Sequence, residues 1–76
     1  MSKKEYLMEL IVRDVIEYLV MDENISIKDA MTRVYSSAIY EKLLDPETGL
    51  YLSSPAYVYD LLCDELKNGR IVQQEL

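Results

Sequence analysis

The sequence predicts a small all-α bundle of three or four helices, and two kinds of observation carry that prediction. Apolar residues recur at spacings of three and four in three separate stretches, which is the period of a helix buried on one side. Two independent helix-start signals, Ser26 before Ile27 and Ser53-Ser54-Pro55, then divide the stretches from one another. The 76 residues make one domain, 1–76, with helices expected at about 3–21, 27–36, 37–45 and 55–67 and a tail at 70–76.

The first helix, Lys3 to Met21, carries Leu7, Met8, Ile11, Val12, Val15, Ile16, Tyr18 and Leu19 on its apolar arc, with Glu9, Arg13 and Glu17 opposite. That arc covers about half the circumference, wider than the ~100° stripe that faces one small core. Burial at the centre of its own bundle and an added subunit interface are both open readings. Leu10, Val20 and Met21 fall outside even this arc. On the second reading the chain forms a two-fold homodimer through this helix, with Leu10 and Ile16 marking the candidate dimer face.

Asp22-Glu23-Asn24 forms a link, after which the Ser26 hydroxyl can accept from the backbone N–H of Asp29. Ile27, Ala30, Met31, Val34, Tyr35 and Ala38 make the stripe of the second helix. Ile39, Tyr40, Leu43 and Leu44 make another in a different phase, and Ser36-Ser37 lies where the two meet. The change of phase predicts a bend, with one serine capping a short third helix; one continuous helix to Leu44 is the alternative.

Asp45-Pro46-Glu47-Thr48-Gly49-Leu50-Tyr51 is a chain reversal, because Pro46 presets its φ and Gly49 accepts a positive one. It should set the last helix antiparallel to its predecessor. Ser54 at the N-cap and Pro55 at the first helical position open that helix, whose inner face is Val58, Tyr59, Leu62, Cys63 and Leu66. Lys67 and Asn68-Gly69 read as its last turn and cap. Arg70 to Leu76 is too short to specify a sheet, and docking or disorder of this tail are both open.

Composition narrows function mainly by exclusion. A net charge of −6 repels phosphate backbones and anionic lipid surfaces, so nucleic acid is an unfavoured partner. The absence of histidine removes the commonest general base and transition-metal ligand, and no cofactor or catalytic residue is indicated. A single cysteine, Cys63, forms no internal disulfide and reads as a small core residue; with no uninterrupted apolar run for a signal peptide or membrane span, a cytoplasmic setting is expected. Asp22, Asn24 and Ser26 alternate like calcium-loop ligands, but Ile27 and Arg33 stand where glycine and glutamate are needed.

Tyrosine supplies all seven aromatic rings. Helical phase assigns Tyr18 and Tyr35 to the core. Tyr40, Tyr51, Tyr57 and Tyr59 form a candidate interaction patch around the turn, with ordinary packing at the edge of the core as the alternative. The spacing of Ser54-Pro55, Tyr57, Tyr59, Leu62, Leu66, Gly69 and Ile71 looks like the recognition helix and first wing strand of a winged helix. Its outward side chains, Asp60, Asp64 and Glu65, are the wrong charge for DNA.

The run Ala30, Tyr35-Ser36, Tyr40, Leu43-Leu44-Asp45, Glu47-Thr48-Gly49-Leu50-Tyr51, Ser54-Pro55, Tyr57, Tyr59 and Leu61-Leu62 resembles a group of short uncharacterised bacterial proteins, a domain of unknown function, over roughly residues 26–66. The resemblance implies a bacterial, intracellular accessory protein and carries no activity, cofactor or catalytic residue. Taken together, the expectation is a non-catalytic protein–protein interaction module, with a helix-turn-helix-like transcriptional regulator or regulator-binding protein as the alternative.

Overall fold

Three shorter helices pack against the long first helix in the computed structural model, which describes residues 2–68. The elements are α1 (Lys3–Glu23), α2 (Ile27–Tyr35), α3 (Ala38–Leu44), two single-turn 3₁₀ segments (Pro46–Thr48 and Leu50–Leu52) and α4 (Pro55–Asn68). No strand occurs among the described residues, and the fold is the small all-α bundle expected. The predicted tail at 70–76, the Gly69 cap and the wing strand lie outside the described residues.

Each boundary has a local cause. At the start of α1, the Ser2 hydroxyl accepts from the Glu5 N–H at 3.2 Å while the Ser2 N–H donates to the Glu5 carboxylate at 3.3 Å. This reciprocal box satisfies two donors that the first turn leaves without helical partners. The helix runs two residues past the expected Met21, because Asn24 adopts the left-handed conformation (φ 55°) that closes a helix C-terminus. Ser26 caps α2 by accepting from Asp29 N–H at 3.0 Å.

At Ser36-Ser37 the helix breaks. The Ser37 hydroxyl donates to the Val34 carbonyl at 2.6 Å, closing α2, and accepts from the Tyr40 N–H at 3.1 Å, opening α3. One nearly buried side chain therefore serves both helix ends. The turn beyond α3 is held by Thr48, whose hydroxyl lies within 2.7 Å of the Lys42 carbonyl and 2.9 Å of the Asp45 carbonyl and accepts from Leu50 N–H at 3.1 Å. Gly49 takes φ 68° between the two 3₁₀ segments. Ser54 then caps α4, accepting from Tyr57 N–H at 3.2 Å.

The core is contributed by every helix: Met8, Ile11, Val15 and Leu19 from α1, Ala30 and Val34 from α2, Ile39 and Leu43 from α3, Leu50 from the turn, and Val58, Tyr59 and Leu62 from α4. The α1 arc is thus largely core at its centre and half-buried at its margins. Its N-terminal half and the ends of α2 and α3 border an open groove described below.

A second tie fixes α3 against α4. The Glu65 carboxylate accepts from the Ala38 N–H at 2.8 Å and from the Ile39 N–H at 3.0 Å. Together with Ser37 it satisfies the first three donors of α3 and places a carboxylate at the positive end of the helix. Glu65 was expected to face solvent beside Asp60 and Asp64; it is instead half-buried and bonded inward. The contact also shows that α4 runs back along α3, as the turn predicted.

Candidate interaction groove

The positions expected to be apolar on α2 separate into two kinds. Ala30 and Val34 are sealed against the core. Ile27, Met31 and Tyr35, each four residues from the next, are 63%, 38% and 46% exposed. The predicted inner stripe is correct in chemistry but too broad in burial, because α1 meets only one edge of it. The outer edge remains an apolar ridge flanked by Lys28, Thr32 and Ser36.

Tyr35, at the end of this ridge, also borders a cleft of about 540 Å³ between α1 and the α2–α3 corner. Met8, Val12 and Ile16 supply the α1 side, and Tyr35, Tyr40 and Leu44 the other. Tyr35 and Tyr40 meet edge to face, with ring centroids 5.0 Å apart and planes at 71°. That geometry sets the positive edge of one ring against the negative face of the other and stiffens the wall. Leu44 is 46% exposed. Glu5, Glu9 and Arg13 stand along the α1 rim, one turn apart.

The predicted tyrosine patch does not form as one surface. Tyr40 lines the groove and Tyr57 is exposed, but Tyr51 is half-buried against the core and Tyr59 is buried. The expectation is reversed for two others, since Tyr18 and Tyr35 are partly exposed where phase assigned them to the core. The cause is that α4 begins beside the end of α1 and turns Tyr59 inward: its hydroxyl donates to the Asp22 carboxylate at 2.8 Å, and its ring packs 5.4 Å from that of Tyr18. Burial, followed by the hydrogen bond to Asp22 and the neighbouring Cys63 side chain, pushes the Tyr59 phenol well above its ordinary pKa.

Leu10 and Ile16 are six residues apart, hence roughly 120° apart around the helix. Ile16 faces the groove and packs on the core margin; Leu10 is half-buried outside both. They do not share one face. The groove could not be read from any single segment, because its walls come from three helices. Its signal in the sequence was the surplus of apolar residues on α1 and α2 over what a small core needs.

Cys63 is half-buried against the core. No cluster of three or more metal-ligating side chains occurs among the described residues, and none of the described helices is long and apolar enough to cross a membrane. No family model, curated protein or solved structure matches the chain.

Proposed function

We propose that the chain is a non-catalytic protein-interaction module of the cytoplasm that binds a protein helix in the groove between α1 and the α2–α3 corner. The observation that carries this reading is the continuity of apolar surface from the Met8–Val12–Ile16 side, across Tyr35, Tyr40 and Leu44, onto the ridge of Ile27 and Met31. Exposed apolar surface rimmed by charge is the usual mark of an interaction site. A helix laid into such a groove with anchors every three or four residues is a recurring mode of peptide recognition.

The regulator alternative draws less support. An outward face of α4 carrying Asp60 and Asp64 opposes a nucleic-acid backbone. Its electrophoretic test is retardation of duplex DNA at low salt, which a DNA reader gives and this reading does not. For the groove, the test is affinity capture from the source cell with the wild-type chain and with Leu44→Lys. The substitution places a cation at the last residue of α3, where the helix dipole favours it, so folding is preserved while the apolar wall is lost. A protein captured by the first and lost by the second supports the groove; equal capture by both refutes it.

A further inference from the structure

The groove and the α2 ridge are both apolar, share Tyr35, and carry charged neighbours of opposite sign, Glu5 and Glu9 against Lys28. Resting on the interaction reading above, we propose that a second copy of this chain fills the groove, in a two-fold dimer whose axis passes beside Tyr35.

Tyr35 is common to both features: it closes one end of the ridge and forms part of the groove wall. A two-fold axis at that residue lays the two α2 helices antiparallel and end over end. Each ridge then extends past the axis onto the groove of the other copy, the self-complementary arrangement that a two-fold interface requires. The lengths agree. Ile27 lies eight residues before Tyr35, about 12 Å along the helix. Val34 lines one small cavity with Val12 and Val15, so α1 passes Tyr35 near Val12; on one side of that point the groove continues to Glu5, seven residues or about 10 Å, and on the other it reaches Ile16. Ile27 and Met31 of one copy therefore settle against Met8, Val12 and Leu44 of the other. Met31, exposed on the ridge, suits a seat of irregular shape.

Charge agrees as well. Lys28 flanks the ridge. Glu5 stands on the groove rim about 10 Å from the axis, the distance at which Lys28 of the other copy lies, and Glu9 stands one turn nearer the axis, within the span of the long Lys28 side chain. The contact occurs twice in the dimer. It also brings opposite charges together in a chain whose net charge of −6 would otherwise repel its copy.

Charge reversal and recombination test the arrangement. Lys28→Glu places a carboxylate in the first turn of α2, which favours the helix, and Glu9→Lys lies on an exposed mid-helix position. Sedimentation equilibrium of the wild type should give a dimer of 8.9 kDa chains. Each variant alone should weaken self-association on the order of tenfold, since each changes two rim pairs from attraction to repulsion. An equimolar mixture should recover the wild-type affinity as a heterodimer, because both pairs are then again of opposite sign. Should Glu9→Lys act weakly, the double change Glu5→Gln with Glu9→Lys, which keeps an acceptor for the Ser2 N–H, carries the same prediction with a larger effect.

Recovery in the mixture shows at once that both variants are folded and that these residues face each other. A monomeric wild type overturns the proposal, as do variants that dimerise like the wild type and a mixture that recovers nothing. If the wild type is monomeric but Leu44→Lys still loses a captured cellular protein, the groove binds a different partner; the interaction reading then survives while this one falls.

Discussion

Replacing Tyr59 by phenylalanine should destabilise the protein at neutral pH and stabilise it in strong alkali, and the crossing point can be worked out. At pH 7 the change removes a hydroxyl that donates to Asp22 at 2.8 Å. Asp22 is exposed and solvated, so the lost bond costs about 1 kcal/mol, the net value of an ordinary hydrogen bond. In the unfolded chain Tyr59 titrates at its ordinary value near 10, whereas in the folded chain burial and the Asp22 bond hold the proton to much higher pH. A pKa raised by folding gives a contribution that is complete below the unfolded value and lost as pH rises above it toward the folded value. Above pH 10 the wild type therefore loses about 1.4 kcal/mol per pH unit from this residue, and the phenylalanine variant loses none. The two effects cancel at about pH 10.7, where the lost proton linkage equals the ~1 kcal/mol hydrogen bond. Urea unfolding of both proteins between pH 7 and 11 measures the difference directly, because the other tyrosines are common to both. A difference that stays constant across pH would refute the idea that the buried phenol keeps its proton.

Glu65→Ala should lower stability by about 2 kcal/mol by removing two hydrogen bonds from the start of α3, which at a slope near 1 kcal/mol per molar urea moves the midpoint by about 2 M. Asp64→Ala, at the adjacent exposed position, should stay within about 0.5 kcal/mol of wild type in the same measurement. Gly49→Ala should cost about 1 kcal/mol through its positive φ alone, since nothing lies within 4 Å of the added methyl group; a loss well above this in the same urea titration would mean that the turn also repacks. Leu19→Ala, in the centre of the core, should cost about 2–5 kcal/mol, whereas Leu10→Ala, half-buried outside it, should cost about 1 kcal/mol or less by thermal and urea unfolding.

What could be read from the chain was the chemistry that acts within a few residues. Ser26, Ser54-Pro55 and the Ser36-Ser37 break each work through backbone groups two to four positions away, so their sequence neighbourhood contains both partners. Helical phase was informative one step less far. It identified the apolar arcs of α1 and α2 but not which part of each meets a neighbour, so Ile27, Met31 and Tyr35 look like core in the sequence and are exposed in the fold. Residues whose partners are distant were misread for the same reason: Tyr59 finds Asp22 thirty-seven positions earlier, and Glu65 finds Ala38 twenty-seven earlier. A carboxylate next to Asp64 on a helix has no local mark to tell it from a solvated one. The candidate groove combines both limits, since its residues are legible as apolar while their juxtaposition depends on how three helices cross.

The cap that Glu65 provides to α3 also has a consequence for the order of events during synthesis. Helices α1 and α2 have their caps within their own sequence and can pair as soon as they leave the ribosome. For α3 this is not so, because two of its first donors wait for a residue made 26 and 27 positions later. At ordinary elongation rates of 5–20 residues per second, that interval is about one to five seconds. Throughout it α3 is a seven-residue helix with only Ser37 at its start, too short to persist by itself. The nascent chain thus passes through a state in which the first hairpin is formed and its second half is open, with the apolar residues Ile39 and Leu43 not yet covered by α4. A released chain ending before Glu65 should be cut by protease between α2 and the end of α3, and the same segment should be resistant in a chain that includes Glu65.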